Sequence, residues 1–61
     1  MFVKLTSNDS GESLFINANL VRAVCDVDGL AYIDVGNEVD YVINESPETV
    51  AMLLNSALKG R

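Results

Sequence analysis

The sequence predicts an α+β domain in which a small antiparallel sheet of four to five strands packs against one C-terminal amphipathic helix. Short segments alternate apolar residues with other residues, as half-buried strands do. Clusters of turn-forming residues separate these segments. Near the C-terminus the apolar residues change to helical spacing directly after a Ser-Pro pair. A chain of 61 residues is expected to form a single domain, residues 1–61.

The first two strands are predicted to form a hairpin. Residues 2–6 and 13–17 alternate as strands on either side of a cluster of Ser, Asn, Asp and Gly. A shift of one residue would exchange the two faces, so one-sided burial specifies the register. The register that keeps one face wholly apolar pairs Val3 with Ile16 and Leu5 with Leu14.

Residues 17–19, Asn-Ala-Asn, allow two interpretations. Either asparagine can cap a single helical turn. A turn followed by a short strand through Val24 and Cys25 is preferred, because β-branched residues suit a strand. Residues 26–29, Asp-Val-Asp-Gly, are interpreted as a turn, since the third acidic ligand and the closing glutamate of a calcium loop are missing.

A second hairpin is predicted from residues 30–35 and 39–43. A two-residue Gly-Asn turn is chemically attractive but would set apolar residues against acidic ones. A three-residue loop over residues 36–38 sorts the faces better and places Asp34 opposite Asp40. Its apolar pairs are Val35 with Val39, Ile33 with Tyr41, and Ala31 with Ile43.

The C-terminal helix has clear start and stop signals. Ser46 is the predicted N-cap, and Pro47 suits the first helical position because its missing N–H costs nothing there. Glu48 lies at the positive end of the helix dipole, and Lys59 and Arg61 at the negative end. Gly60 is a plausible stop. The apolar stripe consists of Val50, Leu53, Leu54, Ala57 and Leu58.

The sheet is expected to be apolar on both faces. The face toward the helix would carry Val3, Leu5, Leu14, Ile16, Ala31, Ile33, Val35, Tyr41 and Ile43. The opposite face would carry Phe2, Phe15, Leu30, Tyr32 and Val42. A different register, with some of these residues in the core, is the alternative.

A chain this short buries little surface, and its single cysteine allows no internal disulfide. The second face therefore predicts a homo-oligomer, most simply a two-fold dimer.

Composition argues against catalysis and against nucleic-acid binding. The net charge of −5 repels nucleic acid and anionic lipid. The chain has no histidine, no glycine-rich phosphate loop and no paired carboxylates on one element. Cys25 is expected to be an inert buried thiol. The sequence thus predicts no catalytic residue, no cofactor and no metal site. Without a signal peptide or a membrane span, a cytoplasmic location is expected.

The sequence from Leu14 onward resembles the FlbD/SwrD-like family of small bacterial flagellar proteins. The matching segments are residues 15–21, 33–35 and 41–46, followed by Glu48 and Val50. Most of the signal lies at Asn17, Ala18, Tyr41, Glu45 and Ser46. The family's Asn-Gly hairpin turn, its helix start without proline and its shorter first turn are not matched. The resemblance implies a cytoplasmic, non-enzymatic accessory protein linked to flagellar motility. The acidic charge and the lack of catalytic groups favour a module that acts through protein–protein contacts.

A second resemblance is to the carbon storage regulator family of RNA-binding dimers. Residues 5–6 and 11–16 are similar to that family's opening, and the order of strands followed by a helix is shared. That family binds RNA through arginines at its opening strand and near its helix, where this chain has Ser7 and Asn44. With four basic residues in all, an RNA site would be poorly charged. RNA-binding regulation is therefore the alternative function.

Overall fold

The computed structural model describes residues 1–37 and 39–59 and shows five strands and one α-helix in that part of the chain. In chain order the elements are β1 (Phe2–Thr6), β2 (Ser13–Asn17), a 3₁₀ turn (Ala18–Leu20), β3 (Ala23–Val27), β4 (Leu30–Asp34), β5 (Asp40–Ile43) and α1 (Pro47–Lys59). All strand pairs are antiparallel. The predicted α+β class is confirmed.

The strands form two sheets, so the predicted single sheet of four to five strands is wrong. One sheet has the order β1-β2 and the other β3-β4-β5. Within the described residues, backbone pairing joins the sheets where β1 and β5 end, at an isolated bridge between Ser7 and Ile43. The amide of Asn44 donates to the Thr6 carbonyl, but the amide of Thr6 donates to the side chain of Glu45. Because this carboxylate takes the next amide of the ladder, the two sheets do not continue into one.

Both predicted hairpin registers are confirmed. In the first hairpin the register partners are Val3 with Ile16 and Leu5 with Leu14. In the second they are Ala31 with Ile43 and Ile33 with Tyr41, with Asp34 opposite Asp40. The predicted loop between these strands includes Glu38, which lies outside the described residues. Alternation with period two was sufficient to specify the pairing because burial is one-sided.

The segment from Asn17 to β3 combines the two interpretations of the sequence. The Asn17 side chain accepts a hydrogen bond from the Asn19 amide (3.0 Å) and caps the 3₁₀ turn. The preferred strand then follows as β3. Positive φ angles at Asp28 (54°) and Gly29 (87°) make the tight turn into β4. The Asp26 carboxylate accepts the Gly29 amide (3.0 Å), which is a turn interaction and explains this acidic sequence.

The core lies between the two sheets and the helix. Its buried residues are Val3, Leu5, Ile16, Ala18, Ala31, Ile33, Ile43, Val50 and Leu54. Three predictions of burial are wrong. Tyr41 and Leu58 are 38% and 47% exposed, because Tyr41 lies near the loop end of the second hairpin and Leu58 in the last turn of α1. Cys25 is exposed because it lies on the outer face of its sheet, opposite its register partner Tyr32.

Ser46→Ala is expected to lower the free energy of unfolding by about 1 kcal/mol. The Ser46 hydroxyl accepts a hydrogen bond from the Thr49 amide (3.1 Å) and donates to Thr49 Oγ1 (2.9 Å), so its loss leaves an amide of the first turn without its cap. Ser56→Ala, the same change at an exposed site within α1, is the matched control and should be neutral or slightly stabilising. Equal stability of both variants in urea melts would remove Ser46 as the cap.

The predicted stop at Gly60 and the charge at Arg61 lie outside the described residues.

Candidate functional site

The structure divides the predicted self-association face into two surfaces. Phe2 and Phe15 lie on the outer face of β1–β2 and are 67% and 64% exposed. Leu30, Tyr32 and Val42 lie on the outer face of the other sheet, are half-buried, and include the register partners Tyr32 and Val42. We call this second group the β4–β5 face. The five residues therefore belong to two different sheets.

Polar residues separate the two surfaces at the place where the sheets meet. The Asn8 side-chain amide donates to Asn44 Oδ1 (2.6 Å), and the Asn8 backbone amide donates to the Val42 carbonyl (2.9 Å). Thr6 lies beside Asn44 and binds Glu45. Because these groups bond one another at the surface, a partner that covers one apolar surface need not cover the other.

The two phenylalanines line a groove of about 360 Å³ between β2 and the β4–β5 hairpin. We call it the phenylalanine groove, and its lining is Phe2, Leu14, Phe15, Ile16, Asn17, Leu20, Val35, Asn37 and Tyr41. None of these residues carries a formal charge at neutral pH. The groove is therefore suited to apolar side chains and, through its two asparagines and the edge of β2, to a peptide backbone.

Of the nine residues that line the groove, the sequence placed two, Phe2 and Phe15, on the self-association face. The seven that it missed include Leu20, Val35 and Tyr41. Leu20 is exposed because the capped 3₁₀ turn directs it away from the core. Val35 and Tyr41 were assigned to the inner face, and Tyr41 does share a face with its partner Ile33. The asparagine cap at residue 17 is the sequence signal for the exposure of Leu20, because a single capped turn cannot bury every residue that it carries.

A second groove, of about 240 Å³, lies between α1 and β3. It is lined by Ala18, Val21, Arg22, Ala23, Val24, Ala51, Leu54, Asn55 and Leu58. Small residues and one arginine dominate this surface, and it lacks aromatic side chains. It offers less to a protein partner than the phenylalanine groove, since aromatic residues dominate interface energetics.

Glu45 joins the first sheet to the segment that starts the helix. Its carboxylate accepts the Thr6 amide (2.9 Å) and the Thr6 hydroxyl (3.0 Å). Burial by itself would raise the pKa of this carboxyl. The hydrogen bonds from the Thr6 amide, from the Glu45 amide and from the Thr6 hydroxyl outweigh it and hold the pKa below its ordinary value of 4.5.

The lowered pKa of Glu45 predicts a loss of stability in acid. A carboxyl that binds its proton less readily when folded contributes stability above its unfolded pKa, and this contribution is lost as the pH falls through the folded pKa. The free energy of unfolding should therefore fall less steeply between about pH 6 and pH 3 in Glu45→Gln than in the wild type. Glu12→Gln, at an exposed glutamate, is the matched control and should keep the wild-type slope. An unchanged slope in Glu45→Gln would contradict this role of the Thr6 hydrogen bonds.

Over residues 1–37 and 39–59, no group of three or more His, Cys, Asp or Glu side chains is placed to hold a metal ion. Cys25 is a free, exposed thiol in a chain without histidine. In the same described ranges, the structure contains no helix with the length and apolar character needed to cross a membrane.

The chain was compared with protein-family models, with curated proteins and with solved structures, and none of the three comparisons finds a match. The resemblance to the FlbD/SwrD-like family, and the weaker one to the carbon storage regulator family, therefore stay predictions. On the surface of the chain, the phenylalanine groove brings together two exposed aromatic rings.

Proposed function

We propose that this chain is a small, non-enzymatic accessory or regulatory protein that acts in the cytoplasm through protein–protein contacts, including a homodimer. The observation that carries this proposal is the exposure of Phe2 and Phe15, at 67% and 64%, in one uncharged groove. Aromatic side chains are enriched at the centres of protein interfaces, where their burial dominates the binding energy.

The energetic gain from covering the groove is large for a chain of this size. Burying one phenylalanine side chain is worth about 1.5–3 kcal/mol relative to leaving it in water. A domain of 61 residues is stable by only about 3–9 kcal/mol in total, so two exposed rings are a substantial fraction of what it has to gain. Association is the support that remains, since a lone cysteine cannot form an internal disulfide.

Charge distribution favours a protein partner over a nucleic acid. The chain carries nine acidic and four basic residues, and the groove lining carries none of them. Phosphate contacts need clustered lysines or arginines, which this groove lacks. The groove is an uncharged apolar surface on an acidic molecule, so it selects a partner through shape and apolar contact. The resemblance to the FlbD/SwrD-like family supports a partner in flagellar motility.

An affinity pull-down from a motile bacterial host tests the proposal. The wild-type chain should retain a flagellar component, and Phe15→Asp should retain less than about a tenth as much, because a carboxylate in the groove must be desolvated on binding. Asp9→Lys, at an exposed turn remote from the groove, is the control and should behave as the wild type. Tyr32→Asp tests the β4–β5 face in the same way.

Two results would contradict the proposal. Undiminished capture of the same partner by Phe15→Asp would exclude the phenylalanine groove as the binding surface. Salt-sensitive, submicromolar binding to structured RNA would instead favour the RNA-binding alternative. Loss of capture in Tyr32→Asp alone would move the site to the β4–β5 face.

A further inference from the structure

Two hydrogen bonds beyond the ends of the β1–β2 ladder show which backbone groups of β2 are used internally. The Ser7 amide donates to the Glu12 carbonyl (2.9 Å), and the Ala18 amide donates to the Met1 carbonyl (2.7 Å). Both pairs continue the register of the ladder. Hydrogen-bonded and non-hydrogen-bonded pairs alternate in an antiparallel ladder. The hydrogen-bonded pairs between these ends are therefore Val3 with Ile16 and Leu5 with Leu14.

The remaining residues of β2 direct their amides and carbonyls away from β1. These residues are Ser13, Phe15 and Asn17. Thr6, the register partner of Ser13, supports the assignment, because its own backbone groups bond Glu45 and Asn44 on the far side of β1. In the part of the chain that the structure describes, β2 is the outer strand of its sheet. Apart from the Asn17 carbonyl, which accepts the first bond of the 3₁₀ turn, its outward groups thus form a free strand edge along the phenylalanine groove.

This edge lacks the features that usually protect an edge strand. Natural edge strands carry lysine, proline, a bulge or an inward-pointing charge. The sequence of β2, Ser-Leu-Phe-Ile-Asn, has no charge and no proline. Among the other strands at sheet edges, β1 carries Lys4, β3 carries Asp26 and β5 carries Asp40. None of the nine acidic residues lies in β1 or β2, so two copies that each carry −5 can approach along β2 without opposing carboxylates.

We infer that β2 pairs antiparallel with β2 of a second copy, about a two-fold axis at Phe15, and joins two hairpins into one four-stranded sheet. The inference deepens the proposed function by naming one partner and how it binds. Phe15 then lies opposite Phe15 of the second copy, and Ser13 opposite Asn17. All three outward residues fall in hydrogen-bonded pairs, which exchange two bonds each. The Asn17 carbonyl, which already accepts the first bond of the 3₁₀ turn, takes the Ser13 amide of the second copy on its other lone pair. The backbone groups of the edge can therefore pair with those of a second copy, and β2 carries no charge that would oppose this pairing.

Side chains on the outer face agree with this register. Lys4 is the register partner of Phe15, so the row across four strands reads Lys4, Phe15, Phe15, Lys4. With strands about 4.8 Å apart, the two lysines lie roughly 14 Å from each other, which exceeds the roughly 8 Å screening length at physiological salt. The two phenylalanine rings lie at the centre of the row and leave water together. Val35 and Tyr41, on the far wall of the groove, are placed to cover the added strand.

Amide hydrogen exchange at two protein concentrations tests the pairing on the unmodified chain. Exchange at Ser13, Phe15 and Asn17 should slow at least about tenfold from dilute to concentrated solution, because dimerisation protects these amides. Leu14 and Ile16 bond β1 in both states and serve as internal controls, with little change. A dimer by light scattering whose three outward amides stay unprotected would place the interface elsewhere and overturn the inference.

Ser13→Pro tests the edge by removing one outward amide without touching the bonds to β1. The dissociation constant of the dimer should rise roughly tenfold or more, while Ser13→Ala stays near the wild type. Wild-type affinity in a folded Ser13→Pro variant would overturn the pairing; if that variant does not fold, hydrogen exchange decides. A chain that is monomeric up to millimolar concentration overturns the inference and the homodimer, while Phe15-dependent capture of another protein would still support the proposed accessory function.

Discussion

Leu54→Ala is expected to lower the free energy of unfolding by about 2–5 kcal/mol, the usual cost of a large cavity in a core. Leu54 is only 7% exposed and lies on the face of α1 that closes the core. Removing its isobutyl group forfeits its burial and leaves a void that neighbouring strands cannot collapse into. Because a chain of 61 residues is stable by about 3–9 kcal/mol, a substantial unfolded population is expected at room temperature.

Leu58→Ala is the matched control for this prediction, since it makes the same chemical change one helical turn later. Leu58 is 47% exposed, and its truncation should cost less than about 1 kcal/mol. Urea melts followed by circular dichroism give both values. Equal losses in the two variants would mean that α1 packs against the sheets through a different face from the one described.

Local features of the fold could be predicted from sequence because each depends on neighbours in the chain. One-sided alternation specified the register of both hairpins, and Ser46 with Pro47 marked the start of α1. The division into two sheets could not be predicted in this way. It depends on a hydrogen bond from the Thr6 amide to the Glu45 carboxylate, across 39 positions of sequence, and no local pattern encodes that contact.

The candidate site was predicted only in part, for a related reason. Alternation places Phe2 and Phe15 on an outer face, and they are exposed there. The same alternation grouped them with Tyr32 as members of one sheet, which the two-sheet arrangement does not support. Alternation also assigns Tyr41 to the inner face, but whether an inner face is covered depends on which element lies over that end of the strand. Periodicity predicts the side on which a residue lies and says nothing about what covers it.

Leu5→Ala is expected to lower the free energy of unfolding by about 2–5 kcal/mol through the contact between the two sheets. Leu5 is 1% exposed and belongs to the core that the hairpin shares with α1 and the second sheet. A two-stranded hairpin is at best marginally stable by itself in water. Its backbone connection to β5 is confined to the bridge between Ser7 and Ile43 and the bonds beside it. Buried side chains must therefore supply most of the energy that holds β1–β2 in place.

Lys4→Ala, at the exposed neighbouring position of β1, is the control for Leu5→Ala and should change stability by less than about 0.5 kcal/mol. The tyrosine fluorescence of Tyr32 and Tyr41 reports the second sheet, and hydrogen exchange of the Leu14 and Ile16 amides reports the hairpin. If one core joins both sheets, Leu5→Ala should shift both signals together, as in a two-state transition. Loss of hairpin protection without a shift in the fluorescence melt would show instead that β1–β2 unfolds separately, and the single-core arrangement would be wrong.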